Sequence, residues 1–418
     1  MSNNTGRLMI WMVVATAAGA PVAAQQTVSV PSRDNALRER PADVFAVGTV
    51  EGEDWEMFSG IRSVAFDAAD NLYLLDGQNN RIVVFDARGR FVRQFGKQGG
   101  GPGEFQAPLA MDIAADGSIV VSDLGNRAFV VFTADGEYIR NVPFDEDVGF
   151  PIAMSADRQG GVITRAMPRV RPDRPASGAA SFSPINRHAL AADGAAAQTL
   201  YRVPVAPPRV IDSASDGAAR RTAFIRMDPV FGPRATFGVL PTGIAVHHDT
   251  EYAIRILDAA GRPVRTITRD LEPKKVTKKD QEQWQEQRRE DEARGAGPQV
   301  VMSRSTGAGS GSVSIGRGGQ AGQAMQMSLD NVPFAEFMSV VTALRTDPQG
   351  RIWVQRRNAD GRVEGPIDLV MSDGRYIGTL TAQPLPGAVS RSGLAAWVVT
   401  DDLGVERIAV RRLPASWR

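Results

Sequence analysis

The sequence predicts an all-β chain: a six-bladed β-propeller with one inserted polar helix and a Gly/Ser-rich loop. Three observations predict it. First, an apolar residue, three intervening residues and a glycine recur five times, at Phe85–Gly89, Phe132–Gly136, Leu190–Gly194, Leu257–Gly261 and Val370–Gly374. Each is preceded by β-branched or aromatic residues and followed by a shorter apolar run, as in Arg81-Ile-Val-Val-Phe85 and Phe91-Val-Arg-Gln-Phe95. That is hairpin chemistry, with glycine taking the positive φ that a short β-turn demands. Second, Phe66–Asp76 and Asn80–Phe85 align with Ile113–Asp123 and Asn126–Phe132, the second copy carrying one more residue before its turn. Their spacing falls in the range of roughly 40–50 residues that four-stranded propeller blades occupy. Third, fragments of the same grammar count out six units.

Along the chain, the two aligned stretches are units one and two. Ala156–Thr164 opens a third, Leu257–Gly261 marks the fourth, and Thr346–Val354 opens the fifth. Ala396–Val410 is a sixth that ends too early for its last hairpin. A strand at Val44–Val50 fills that vacant edge, because closing a ring removes an exposed edge and ties the two ends together. Wider spacings call for insertions. Residues 166–182, with Arg169, Arg171 and Arg174 among prolines, read as an exposed loop. A larger insertion covers about 268–333. Within it Thr277-Lys-Lys-Asp280 starts a helix in capping-box fashion, and Gly295 ends it after Lys278–Arg294. Trp284 is its one large apolar residue, so it must be mostly solvated and supported by pairs such as Lys278/Glu282, Arg288/Glu292 and Glu290/Arg294. Ser303–Gln323 behind it is rich in Gly and Ser and reads as mobile. The insertion is either a tolerated surface excursion or a lid over a ligand site.

The stretch Phe95-Gly-Lys-Gln-Gly-Gly-Gly-Pro-Gly-Glu-Phe105 links two units, and it resembles the inter-blade loop of the NHL-type six-bladed β-propeller superfamily, in particular its secreted bacterial branch. The similarity is strongest over residues 59–140, fair over 231–267 and 334–410, and weak elsewhere. It implies the fold rather than an activity, since the superfamily hosts lyases, lactonases, receptors and plain scaffolds. Some of its lyases hold zinc through histidines from different blades, and its gluconolactonase-like members hold a divalent cation on the axis. No ligand of either kind carries over to a numbered residue of this chain.

Lys and Arg number 48 against 47 Asp and Glu, so no global field favours nucleic acid or an anionic membrane. At the N-terminus Arg7 precedes an apolar run, Leu8–Ala20, and Val22-x-Ala24 fits a small-residue cleavage site. Residues 1–24 therefore read as a signal peptide and 25–418 as the mature propeller, in a bacterial periplasm or outside the cell. A retained anchor is the competing reading, and the run is short of the ~20 residues a spanning helix needs. Stable membrane insertion is not expected. With no cysteine, the chain has neither a disulfide framework nor a thiolate metal site.

Two charged pairs stand out, Asp76/Arg81 and Asp123/Arg127. Each aspartate ends one strand and each arginine opens the next, and their recurrence points to a structural latch within every blade rather than to catalysis. The Gly99–Gly103 run lacks the Gly-Lys-Ser/Thr and following helix of a phosphate loop, so it reads as an inter-blade turn. Glu51, Glu53 and Asp54 read as a solvated turn. Of the three histidines, His247 and His248 are adjacent and face opposite sides of a strand, and His188 sits in the hairpin of the third unit, away from the axis. Neither a calcium loop nor a Gly-x-Ser-x-Gly elbow occurs. Catalytic residues are not identified, and no cofactor is expected. The leading reading is an exported, monomeric binding scaffold for a protein, peptide or carbohydrate ligand, not for nucleic acid. The alternative is a metal-assisted hydrolase or lyase, gluconolactonase-like, with calcium at the central channel. An axis lined by arginine or apolar side chains favours the first, and converging oxygen and nitrogen ligands favour the second.

Overall fold

Short apolar strands joined by tight turns cannot bury both faces singly, so they stack. A computed structural model shows how. It describes residues 25–417, except 146–147, 168–181, 192–193, 206–208, 214–220, 226–227, 294–298, 304–311, 317–331, 359–360, 362, 382 and 402–403. The expected signal peptide, the Arg169–Arg174 loop, Gly295 and most of the Gly/Ser stretch lie outside the described residues.

The N-terminal segment supplies β1 (Gln26–Val30) and β2 (Ala42–Val47). Blade 1 is β3 (Ile61–Phe66), β4 (Leu72–Asp76), β5 (Arg81–Phe85) and β6 (Phe91–Phe95). Blade 2 is β7 (Pro108–Ile113), β8 (Ile119–Asp123), β9 (Ala128–Phe132) and β10 (Tyr138–Pro143). Blade 3 is β11 (Phe150–Ala156), β12 (Val162–Met167), β13 (Phe182–Ala191) and β14 (Gly194–Pro204). A hairpin of β15 (Arg209–Ser213) and β16 (Arg221–Ile225) leads to blade 4: β17 (Thr236–Leu240), β18 (Gly243–His247), β19 (Ala253–Asp258) and β20 (Pro263–Arg269). Helix α1 (Lys278–Ala293) and a hairpin of β21 (Gln299–Ser303) and β22 (Ser312–Gly316) come next. Blade 5 is β23 (Val341–Thr346), β24 (Arg351–Arg356), β25 (Ile367–Met371) and β26 (Tyr376–Leu380). β27 (Ala388–Val389), β28 (Leu394–Thr400) and β29 (Glu406–Arg412) begin blade 6.

The chain is a six-bladed β-propeller. Each blade is an antiparallel sheet in sequence order, and neighbouring blades meet through their first strands at the junctions 1–2, 2–3, 3–4, 4–5 and 6–1, so that the first strands line the central channel. One apolar cluster fills each of the six interfaces. Leu75 and Phe105 with Val121 and Phe132 join blades 1 and 2, while Trp353 and Leu369 with Trp397 and Trp417 join blades 5 and 6. Phe105 is fully buried, so the glycine-rich stretch is an inter-blade link that inserts an aromatic wedge. The hairpin glycines Gly89, Gly136, Gly261 and Gly374 have φ of 81°, 88°, 81° and 93°, the left-handed backbone that glycine adopts at no steric cost.

Two faces result. The turn face carries the hairpins between first and second and between third and fourth strands. The link face carries the second-to-third turns, the inter-blade links and the insertion. Among the described residues no helix is long and apolar enough to cross a membrane. In α1, Thr277 and Asp280 cap each other reciprocally, Lys278 pairs with Glu282 at 3.7 Å, and Trp284 packs edge-on to Phe334 at 5.6 Å. The partners Glu292 and Arg294 fall outside the described side chains.

Blade 6 is completed by β2, which pairs antiparallel with β29. The strand expected at Val44–Val50 lies at Ala42–Val47, because Gly48 leaves the strand at φ 110°. One strand was not legible in the sequence. β1 adds a fifth strand to blade 4, parallel to β20, and Leu37 then bonds to Thr379 on β26. The N-terminal segment thus straps the outer edges of blades 4, 5 and 6. Asp34 on the strap meets Arg269 and Arg356 at 2.6 and 2.8 Å, and both arginines also reach the fully buried Asp368. Guanidiniums beside Asp34 hold its carboxyl below the usual range despite partial burial.

Candidate functional site

The aspartates at the ends of β4 and β8 are both fully buried. Asp76 pairs in register with Arg81, whose guanidinium lies 3.2 Å away and also reaches the carbonyls of Asp54 and Met57. Asp123 pairs in register with Ala128, not with Arg127. Its carboxylate accepts from the amides of Gln106, Ala107, Gly125 and Asn126 and from the Asn126 side chain. Arg127 does not open β9. It holds φ 53°, matching Asn80 at φ 54°, and its guanidinium lies 5.8 Å from the Phe150 ring centre. The expected equivalence of Arg81 and Arg127 is therefore displaced by one residue. The feature the two blades share is an aspartate bonded by an asparagine three positions on, Asn79 or Asn126, and by amides of the incoming link.

The histidines stay apart. His188 bonds Thr164 at 2.9 Å, His247 donates to the Ala253 carbonyl at 3.0 Å, and His248 meets the Tyr201 hydroxyl. Burial pushes His188 and His247 down to about 4, so both are neutral. Among the described residues no three of His, Asp and Glu gather closely enough to hold a metal ion.

The inner strands place a different set together. Ala65, Asp112, Ser155 and Arg345 are each the penultimate residue of their blade's first strand, at the turn-face end of the channel. Blades 2 and 5 are opposite in a ring of six, so Asp112 and Arg345 face one another across the axis. Next to Arg345, blade 4 carries Gly238, where a Cβ would come within 2.5 Å of Thr346. On the hairpins that follow the inner strands of blades 3 and 6, also opposite, stand Arg158 and Arg391.

Arg345 keeps much of its surface open to water, yet burial of its guanidinium lowers its pKa. Asp112 accepts from the amides of Ile113 at 2.8 Å and Ala156 at 2.7 Å. Desolvation pushes its carboxyl up, against these two bonds and the fields of Arg345 and Arg158. Arg158 is lowered by burial and by the facing charge of Arg391. Among the described residues, no hydrogen bond or ion pair engages the guanidiniums of Arg158, Arg345 or Arg391. The nearby carboxylates Asp157 and Asp347 are neutralised by Arg187 and Arg351. Arg345 and Arg158 thus share one carboxylate at this mouth, and Arg391 faces Arg158. Sequence reasoning missed the set because its members lie on four blades and share no motif.

A family described as a 6-bladed beta-propeller matches residues 47–159, which span blades 1 and 2 and the inner strand of blade 3. Three solved structures are similar in overall form. A Bacteroides fragilis protein described as exported shares 11% identity, with 93% of this chain and 100% of its own covered, at TM-score 0.44. A Xanthomonas campestris gluconolactonase shares 11% identity, covering 90% and 87%, at TM-score 0.41. Regucalcin, a calcium-binding protein of Agrobacterium tumefaciens, shares 12%, covering 92% and 97%, at TM-score 0.38. At these values no residue role passes from one chain to another.

Proposed function

We propose that this chain is an exported, monomeric propeller of the NHL-like secreted branch that works as a binding scaffold, taking its ligand at the turn-face mouth of the central channel. One observation carries the reading: Arg158 and Arg345 face Asp112, Arg391 faces Arg158, and among the described residues none of the three guanidiniums has a hydrogen bond or ion pair of its own. Guanidiniums are planar donors built for recognition, and three with one carboxylate make a poor cradle for a cation. Export rests on the apolar run and small-residue motif of residues 1–24, and β1 begins at Gln26, directly after them. No cofactor enters this reading. A part of a protein, peptide or carbohydrate slim enough for the mouth is the ligand it calls for.

The test is turnover. Purified protein incubated with a panel of lactones and esters, with calcium or zinc added, is expected to hydrolyse none above the buffer rate. Hydrolysis that stops on chelation and returns with one metal would replace the scaffold with the metal-assisted alternative.

A further inference from the structure

Like charges facing across a narrow channel repel, and they repel most where burial limits screening by water. Arg158 on the turn after β11 faces Arg391 on the turn after β27, and Arg345 stands across the axis from Asp112. An anion seated among them relieves that repulsion and supplies the acceptors that three guanidinium forks lack. The positions equivalent to Arg345 carry small side chains in three other blades, Ala65 in blade 1, Ser155 in blade 3 and Ala388 in blade 6.

We propose that the turn-face mouth is an oxyanion site, in which Arg158, Arg345 and Arg391 hold a carboxylate, sulfate or phosphate group at the slim end of a ligand, and Asp112 takes up a proton as that group binds. The proposal rests on the binding reading above and names the chemistry of its ligand. Among the described residues of the mouth, Asp157 and Asp347 have an arginine of their own and Asp112 does not. The groups that face it are Arg345 from β23, Arg158 from the turn after β11, and the amides of Ile113 and Ala156; Arg391 and Asp347 lie beyond Arg158. A bound anion adds negative charge beside a carboxyl already biased towards its neutral form. Protonation then removes the repulsion and gives Asp112 one O–H to donate.

Calorimetric titration of the folded full chain at low ionic strength, with acetate, sulfate and phosphate in turn, tests this. Saturable one-site binding of at least one anion is expected, and which one binds tells a carboxylate from a sulfate or phosphate source. Arg345→Met is expected to weaken it by about tenfold or more, and Asp112→Asn to strengthen it near pH 8 and to abolish the dependence of its heat on buffer ionisation. Arg158→Gln, at an exposed side chain with no hydrogen bond or ion pair among the described residues, is expected to weaken it as well and serves if Arg345→Met does not fold. No saturable binding of any of the three anions, or affinity unchanged in Arg158→Gln and Arg345→Met, overturns the site. Affinity unchanged in Asp112→Asn overturns the proton coupling. Either failure leaves a catalytically silent propeller a scaffold with its ligand elsewhere, whereas metal-dependent turnover removes the scaffold itself.

Discussion

Asp112 and Arg345 hold the same register position on the inner strands of opposite blades, so one carboxyl and one guanidinium face each other across the channel axis. Neither is neutralised locally, and the pair sets how the mouth responds to pH. Burial raises the Asp112 carboxyl, so it becomes neutral at a higher pH than an ordinary aspartate. Its protonation removes the negative charge that Arg345 and Arg158 face. Anion affinity is therefore expected to rise as pH is lowered from the alkaline side into mild acid, and to stay level in Asp112→Asn. Affinity measured across that range checks it.

A second pH response concerns stability. His188 and His247 are held neutral, with pKa pushed down to about 4 from an unfolded value near 6.5. Between those values the unfolded chain binds more protons than the fold, so stability falls as pH drops through that window and is intact above it. The loss approaches roughly 3 kcal/mol per histidine by about pH 4. Urea unfolding at a series of pH values is expected to show the decline, and His188→Gln to flatten about half of it.

The blade latches separate two arginines that look alike in sequence. Asp76→Ala and Asp123→Ala are each expected to destabilise by roughly 1–3 kcal/mol, because both leave buried donors without an acceptor. Arg81→Ala follows Asp76→Ala, since it strands the same carboxylate. Arg127→Gly is expected to change stability far less, because glycine relieves a positive φ. Thermal melts of the four variants check the order. An Arg127→Gly loss equal to that of Asp123→Ala would make Asp123/Arg127 a latch equivalent to Asp76/Arg81.

Ring closure divides the N-terminal segment in two. Deleting residues 25–58 removes β2 and is expected to abolish cooperative folding, since it strips blade 6 of its outer strand and exposes β29. Deleting 25–41 removes β1 and Asp34 but keeps β2. That shorter deletion is expected to fold with a lowered melting temperature, because Arg269 and Arg356 retain Asp368. Circular dichroism melts of the two proteins distinguish these outcomes.

The blades were legible because hairpin glycines and strand alternation are local. Gly89, Gly136, Gly261 and Gly374 each stand where a turn requires left-handed backbone, and Phe105 marks the link between blades. β1 was not legible, since a parallel strand paired across more than 200 residues leaves no turn between partners to read. The one-residue slip at Arg127 has a related cause. Asn80-Arg81 and Asn126-Arg127 match as letters, and only the backbone shows that Arg127 sits at the turn position of Asn80. The site was hidden for a topological reason. Asp112, Arg158, Arg345 and Arg391 are far apart in sequence and meet only because six inner strands close around one axis.

Arginine-selective labelling with phenylglyoxal, read residue by residue by mass spectrometry, tests most directly whether this channel mouth is the binding site. Arg158, Arg345 and Arg391 are expected to label in the free protein and to be protected together by a saturating oxyanion. Arg269 and Arg351, buried and paired, are expected to stay unlabelled in both states. An unreactive Arg345, or protection confined to arginines of the link face such as Arg234, would contradict the account.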